Sequence, residues 1–299
     1  MASAAIDFTL GSRRLLSVPR SLSTWAFSLE DVLAGALPDA PPSGRDGVRV
    51  LSAPTARLAA VTAHYPGFIA GGRQDYRRHF IDMGQDFEAY MGRFSGKTRS
   101  TLRRKARKLA EEAGGYTVTE HRTPAEIAAF LAAALPLSAR TYQARLLDAG
   151  LPGDEPARRA MLEAAEAGLM RAFLLHAGGA PVAYLSLPVA GETLVYAHLG
   201  YDPDWARLSV GTVLQMDALE RLFAERRFRW FDFTEGDGAH KEMFGTHSAA
   251  CSSLVLLEPT IANRTLLGAR AGFDAGVAGA KALAEQSGAL GRIRALLRA

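Results

Sequence analysis

Tyr201-Asp202-Pro203-Asp204-Trp205-Ala206-Arg207-Leu208-Ser209-Val210-Gly211-Thr212 is the stretch on which the reading of this chain turns. Upstream of it, Glu192–Tyr201 reads as a strand. Downstream, Val213, Met216, Leu219, Leu222 and Phe223 recur at helical spacing, so a helix is expected from about Ser209 to Arg226. The quoted residues therefore form a strand-to-helix loop. The first turn of a helix leaves N–H groups unpaired and carries the positive dipole end, which suits it to phosphate. Gly211 lets the backbone approach a ligand closely, and Ser209 and Thr212 add hydroxyls. An ordinary turn capped by Ser209 accounts for the same residues, since one glycine is a weak signal.

Moving outward, Phe228–Thr234 reads as a further strand, and Asp232-Phe233-Thr234-Glu235-Gly236-Asp237-Gly238-Ala239-His240-Lys241 closes it with carboxylate, imidazole and amine groups. Open α/β sheets place ligands at such carboxyl ends. Glu235, Asp237 or His240 could serve as general base, and Lys241 could stabilise negative charge or bind phosphate. A solvated glycine-rich turn is the plainer alternative. Asp232, among aromatics, is expected to point inward and to be hydrogen-bonded. A short turn of helix follows around Lys241–Phe244, then a strand over Ser252–Leu257.

On the other side lie two more strands, Met170–His176 and Ala180–Pro188. The 20 residues 172–191 carry no charge and are nominally long enough to span a bilayer. Gly178, Gly179, Pro181, Pro188 and Gly191 punctuate them, so two strands and a tight turn fit better. Further back come a helical stretch over 155–168, another to about Leu147, and a helix opened by Thr123 and Pro124 and ending near Leu135. Tyr116–His121 alternates like a strand. Lys97, Arg99, Arg103, Arg104, Lys105, Arg107 and Lys108 lie on a helix whose apolar stripe is Leu102, Ala106 and Leu109. That basic face is either solvated or a surface for anions or RNA; no RNA-recognition aromatic motif accompanies it. Phe87–Phe94 is a short helix capped by Asp86. The first 95 residues otherwise read as irregular, with short strands at Val48–Leu51 and His79–Asp82. The tail from Ile261 reads as helical with a break near Gly288.

From 116 onward the order is β-α-α-β-β-β-α-β-α-β, which indicates a mixed α+β sheet with helices on its faces. Composition agrees: 299 residues, 48% apolar and 22% charged, describe a folded chain rather than a disordered or fibrous one. The net charge of +4 is mild, and only five residues are Lys. One cysteine, Cys251, excludes an internal disulfide framework and fits a reducing cytoplasm. It has no obvious catalytic partner. A Cys/His zinc site lacks ligands, so no metal is expected, and with Asp7 and no basic stretch ahead of an apolar run in Met1–Leu10 no signal peptide is expected either. His64 and His198 are unassigned.

Three segments in this order resemble the GNAT acyltransferase fold, and within it the CelD-like, Fem-related branch. They are Ser95-Gly96-Lys97-Thr98-Arg99-Ser100-Thr101-Leu102-Arg103-Arg104, the quoted 201–212 loop, and Phe231-Asp232-Phe233 with the Gly236…His240-Lys241 loop. The resemblance covers about 90–258. It divides the chain into 1–94, similar to the divergent leading half of a Fem-like double-GNAT protein, a GNAT-like domain at 95–258, and a helical tail at 259–299.

The resemblance implies transfer of an acyl group from acetyl-coenzyme A, or another acyl-coenzyme A, to a small-molecule or glycan amine, in polysaccharide or cell-envelope metabolism. It places the diphosphate on the backbone of Leu208, Ser209, Val210, Gly211 and Thr212, with Arg207 heading the loop. It further implies Glu235 or Asp237 as base toward the amine, His240 as acid toward the thiolate, and Lys241 beside them. Two departures stand out. Thr212-Val213 follows Gly211 where the family carries a second small residue, and His240 stands where the family carries Tyr before the Lys. Two other readings remain: a Fem-like transferase that takes its donor from aminoacyl-tRNA on the basic helix, and a degenerate, non-catalytic GNAT module. DNA and a membrane span are not expected.

Overall fold

The computed structural model describes residues 3–10, 13–141 and 150–286. The helical stretch expected toward Leu147 and the break near Gly288 fall outside them. The chain divides into two compact units, one of residues 1–76 and 250–299 and one of 77–249. These boundaries differ from the sequence-drawn ones at 94 and 258.

The first unit holds β1 (Ser3–Leu10), β2 (Arg13–Ala26), α1 (Leu29–Ala34), β3 (Gly47–Pro54), α2 (Leu58–Ala63) and the opening of β4 (Ile69–Asp82). The expectation that these residues are irregular is therefore wrong. β1 and β2 pair antiparallel, and β2 runs parallel to β3. These strands are hard to see because their apolar signal is thin. In β4, for instance, ten of the fourteen positions from Ile69 carry small or polar side chains, and most of the strand is exposed before Arg78.

The second unit continues with α3 (Phe87–Gly92), α4 (Gly96–Ala113), β5 (Tyr116–His121), α5 (Pro124–Arg140), α6 (Glu155–Glu166), β6 (Met170–Ala177), β7 (Ala180–Ala190), β8 (Thr193–Val195), β9 (His198–Tyr201), α7 (Val210–Glu225), β10 (Trp230–Asp232) and α8 (Ala239–Phe244). Strand β11 (His247–Leu257) begins in this unit and ends in the first, to which α9 (Ile261–Gln286) also belongs. The expected caps form: Asp86 accepts from Ala89 N, and Thr123 builds a capping box with Glu126. Helix α5 runs five residues past Leu135 despite Pro136, because its far turn is anchored: Tyr184 donates to Ser138 Oγ at 2.9 Å.

Strands β6 and β7 explain the uncharged run. They pair antiparallel across a turn with Gly178 and Gly179 both at positive φ, the conformation glycine allows at low cost. Both faces are covered. Phe173, Leu175, Leu185 and Leu187 pack with Val213, Leu219 and Leu222 of α7, while Ala172, Leu174 and Tyr184 pack with Ile127, Phe130 and Leu131 of α5. Burial on two sides produces continuous apolar strands rather than alternating ones. Among the described residues no helix is long and apolar enough to cross a membrane.

The expected strand over Glu192–Tyr201 is two strands. β8 pairs in parallel with β10, and Tyr196 N donates to Asp232 O at 2.9 Å as the last bond between them. Among the described residues β9 then pairs only with β7. The sheet splays after Tyr196, and for the same reason β10 ends at Asp232 instead of Thr234. Thr234 itself takes φ +62°, which breaks any strand.

Candidate functional site

The splay leaves a cavity of about 270 Å³ bounded by Tyr196, Leu199 and Tyr201 on one side, Ala206, Ser209, Gly211 and Thr212 on a second, and His240 on a third. Three of the six loop residues expected to hold a diphosphate, Ser209, Gly211 and Thr212, thus line it. Leu208 and Val210 are buried, backbone included, and do not line it. Arg207 points elsewhere and pairs with Glu112 on α4.

The turn is not capped in the expected way. Ser209 adopts φ +56°, and its hydroxyl makes no capping bond. Its carbonyl accepts from Thr212 N at 2.9 Å and from Val213 N at 3.1 Å. Val210 and Gly211 are left as the amides without a partner among the described residues. Gly211 is also a packing residue: a Cβ there would sit 3.0 Å from Leu199 Cδ2 and Tyr201 Cδ1. The glycine lets the helix start close against β9. Lys105 reaches the same turn from α4, with Nζ 3.4 Å from Thr212 Oγ1. The basic helix is therefore partly engaged within the protein. Arg99 likewise donates to the Gly92 and Phe94 carbonyls.

The opposite edge is polar. Asp232 is fully buried and receives Arg78 at 3.1 and 2.5 Å, with Thr234 N at 2.9 Å on the same carboxylate. It is the hydrogen-bonded, inward-facing residue the sequence suggests. Lys241 Nζ donates to the Glu235 carbonyl. Burial pushes the Lys241 amine below its ordinary value, against the opposing pull of Asp232, Glu235 and Asp237. Asp237 accepts from Arg77 N at 2.8 Å. Of the four expected catalytic residues, only His240 lines the cavity; Glu235 and Asp237 stand on the exposed loop before α8, and Lys241 packs beneath it.

His240 keeps an exposed edge, while its Nε2 turns inward to Gln215 Oε1 at 2.6 Å. Burial of the ring, then Lys105 and Lys241, hold its imidazole below the usual histidine range. It is therefore neutral near pH 7. Its ring packs on Phe244 at 4.7 Å. Helix α8 is only six residues long, and its last carbonyls are clasped from outside. Arg93 donates to Met243 O and Phe244 O at 3.2 and 3.0 Å and to Gly245 O, and Tyr90 donates to Phe244 O at 3.0 Å.

Sequence reasoning missed Tyr196, Gln215 and this clasp. Tyr196 is half-buried within the expected strand, and burial raises its phenol further above neutrality. Gln215 sits among apolar residues of α7 and is fully buried. Nothing in its spacing sets it apart. Among the described residues no group of three His, Cys, Asp or Glu side chains is placed to hold a metal ion.

Residues 96–242 match the family described as acetyltransferase (GNAT) domain. The chain carries a GNAT domain. Its fold is similar to that of the C-terminal domain of a putative lysylphosphatidylglycerol synthetase from Agrobacterium fabrum (13% identity, 90% of this chain and 88% of that one, TM-score 0.50). At that identity the likeness is one of fold. FemX (13%, 71% and 72%, TM-score 0.49) and L-PGS from Bacillus licheniformis (15%, 75% and 72%, TM-score 0.47) also resemble it. No curated protein matches the chain by sequence. The GNAT match spans just under half of the chain and shows a GNAT domain there. Within it, the splay after Tyr196 and the α7 turn are the parts of the domain that frame the cavity.

Proposed function

We propose that this GNAT domain is an N-acyltransferase that uses acyl-coenzyme A and an amine acceptor. The observation that carries the reading is the cavity at the splay, which brings a helix N-terminus and a neutral imidazole to one space. Acyl-coenzyme A supplies an activated acyl carbon, to which the amine nitrogen bonds as the carbon–sulfur bond breaks and the thiol leaves. The Gly211 N–H, the Thr212 hydroxyl and the Lys105 ammonium are the groups that suit its diphosphate. The fit is narrower than the family loop implies, because two of the four first-turn amides are already bonded within the turn.

His240 is assigned the proton transfer in place of Glu235 or Asp237, since it alone of the three faces the cavity. A neutral imidazole takes the proton that the attacking amine sheds, and the departing sulfur receives one back. Tyr196, kept protonated by burial, offers its O–H on the cavity wall as a hydrogen-bond donor to developing charge. Lys241 and the Arg78–Asp232 pair hold the loop that carries α8.

A thermal-shift series with acetyl-, longer acyl- and free coenzyme A tests the reading, since a ligand selective for the folded state raises Tm. All three should raise it. Stabilisation by tRNA alone would instead favour an aminoacyl donor, and no shift with any would leave a non-catalytic module. With turnover in hand, His240→Gln should cost roughly 100-fold or more in kcat while the acetyl-coenzyme A shift persists. Glu235→Gln should retain most of the activity; a loss matching that of His240→Gln would return the base role to Glu235.

A further inference from the structure

Gln215 is an expensive residue where it stands. It is fully buried on α7 between Leu214 and Ala218, and its Nε2 finds no partner among the described residues. Burying an unsatisfied amide is destabilising, and a leucine there would pack on the same apolar neighbours without that cost. Its one polar contact among the described residues runs from Oε1 to His240 Nε2 at 2.6 Å. An amide oxygen only accepts, so with the Gln215 amide in this orientation the ring nitrogen facing it carries the proton. His240 Nδ1 has no partner among the described residues, and the residue is exposed where it lines the cavity.

We propose that Gln215 is a positioning residue that locks His240 as the Nε2–H tautomer, so that Nδ1 is the proton-accepting atom presented to the cavity. This rests on the N-acyltransferase reading for its chemical purpose, but not for its geometry. Without the lock an imidazole divides between two tautomers and two ring orientations, and only some of these present a lone pair to an incoming amine. The charged and titratable groups around the ring are the Lys105 ammonium from α4, Lys241 on α8 itself, and the Tyr196 and Tyr201 phenols across the cavity. Neither lysine accepts a proton from the ring. Gln215 is thus the acceptor that fixes it.

The test is ring-nitrogen NMR on the full chain with ¹⁵N-labelled histidine, His240 being assigned by the loss of its signals in His240→Gln. The wild type should show His240 as the Nε2–H tautomer at pH 7.5. A ring found as Nδ1–H, or an even mixture, overturns the proposal whatever the enzyme's activity. In Gln215→Leu the signals should move toward a mixture. In Gln215→Glu the carboxylate should raise the His240 midpoint by at least one pH unit, a tenfold gain in proton affinity, while keeping Nε2 protonated. A Gln215→Leu protein that retains the wild-type tautomer pattern also overturns the lock. If the tautomer is as stated but coenzyme A esters neither bind nor react, the N-acyltransferase reading fails and this one stands.

Discussion

Two edges of one cavity are built on opposite principles. The α7 edge is apolar and closely packed: Leu208, Val210 and Gly211 are buried, and the glycine serves the approach of helix to strand. The α8 edge is a knot of charge and hydrogen bonds, with Arg78 on Asp232, Lys241 on the Glu235 carbonyl and Gln215 on His240. The first edge offers backbone amides held rigidly by packing. The second offers side chains whose protonation the surroundings control. An acyl transfer needs both: a fixed cradle, and groups that exchange protons.

The charged edge should break hardest. Arg78→Met strands the Asp232 carboxylate in a buried site, and we expect a loss of about 3–5 kcal/mol in urea unfolding. A loss below about 1 kcal/mol would mean that Thr234 N and solvent suffice for Asp232. The packed edge should fail more mildly. Gly211→Val pushes two methyl groups against Leu199 and Tyr201 and should cost about 1–3 kcal/mol, together with weaker acetyl-coenzyme A stabilisation in the thermal series. Unchanged stability would show that β9 yields there and that the glycine is not needed for packing.

A smaller effect concerns pH. Burial holds the imidazoles of His121, His198 and His240 below their ordinary 6.5. Below that value the unfolded chain binds more protons than the folded one, so their contribution is complete above pH 6.5 and is lost as pH falls through the folded values. His240→Gln should therefore reduce the drop in urea midpoint between about pH 7.5 and pH 5.5; a steeper drop would contradict the placement of the ring. Smallest of all is Arg207→Ala. Its pair with Glu112 is exposed, so the urea midpoint should not move measurably. The salt dependence of coenzyme A binding should be unaltered too, because Arg207 stays on Glu112; a weaker dependence in the variant would place Arg207 on the diphosphate instead.

Much of the second unit was readable because its elements carry strong periodic signals. Helix α7 shows its stripe at Val213, Leu219 and Leu222, and β6 and β7 show the unbroken apolar runs of doubly covered strands. The splay after Tyr196 was not readable, because it arises from pairing choices: β8 follows β10 while β9 follows β7, and local residue preference is the same on both sides. Gln215 escaped for a different reason. A helical wheel treats glutamine as a surface residue, and only the three-dimensional position of His240 gives it a buried purpose. The first unit was least legible, since β1, β2 and β4 are paired by backbone bonds while many of their side chains are polar or small.

The grip of Arg93 and Tyr90 on the end of α8 has a practical corollary. A helix of six residues has too few internal bonds to persist alone, and both residues that hold it precede the stretch 96–242 that matches the GNAT family. Anyone trimming the gene to that match would keep His240 and discard its anchorage. The excised fragment would then be expected to lose its proton carrier to local fraying even if the surrounding strands survived.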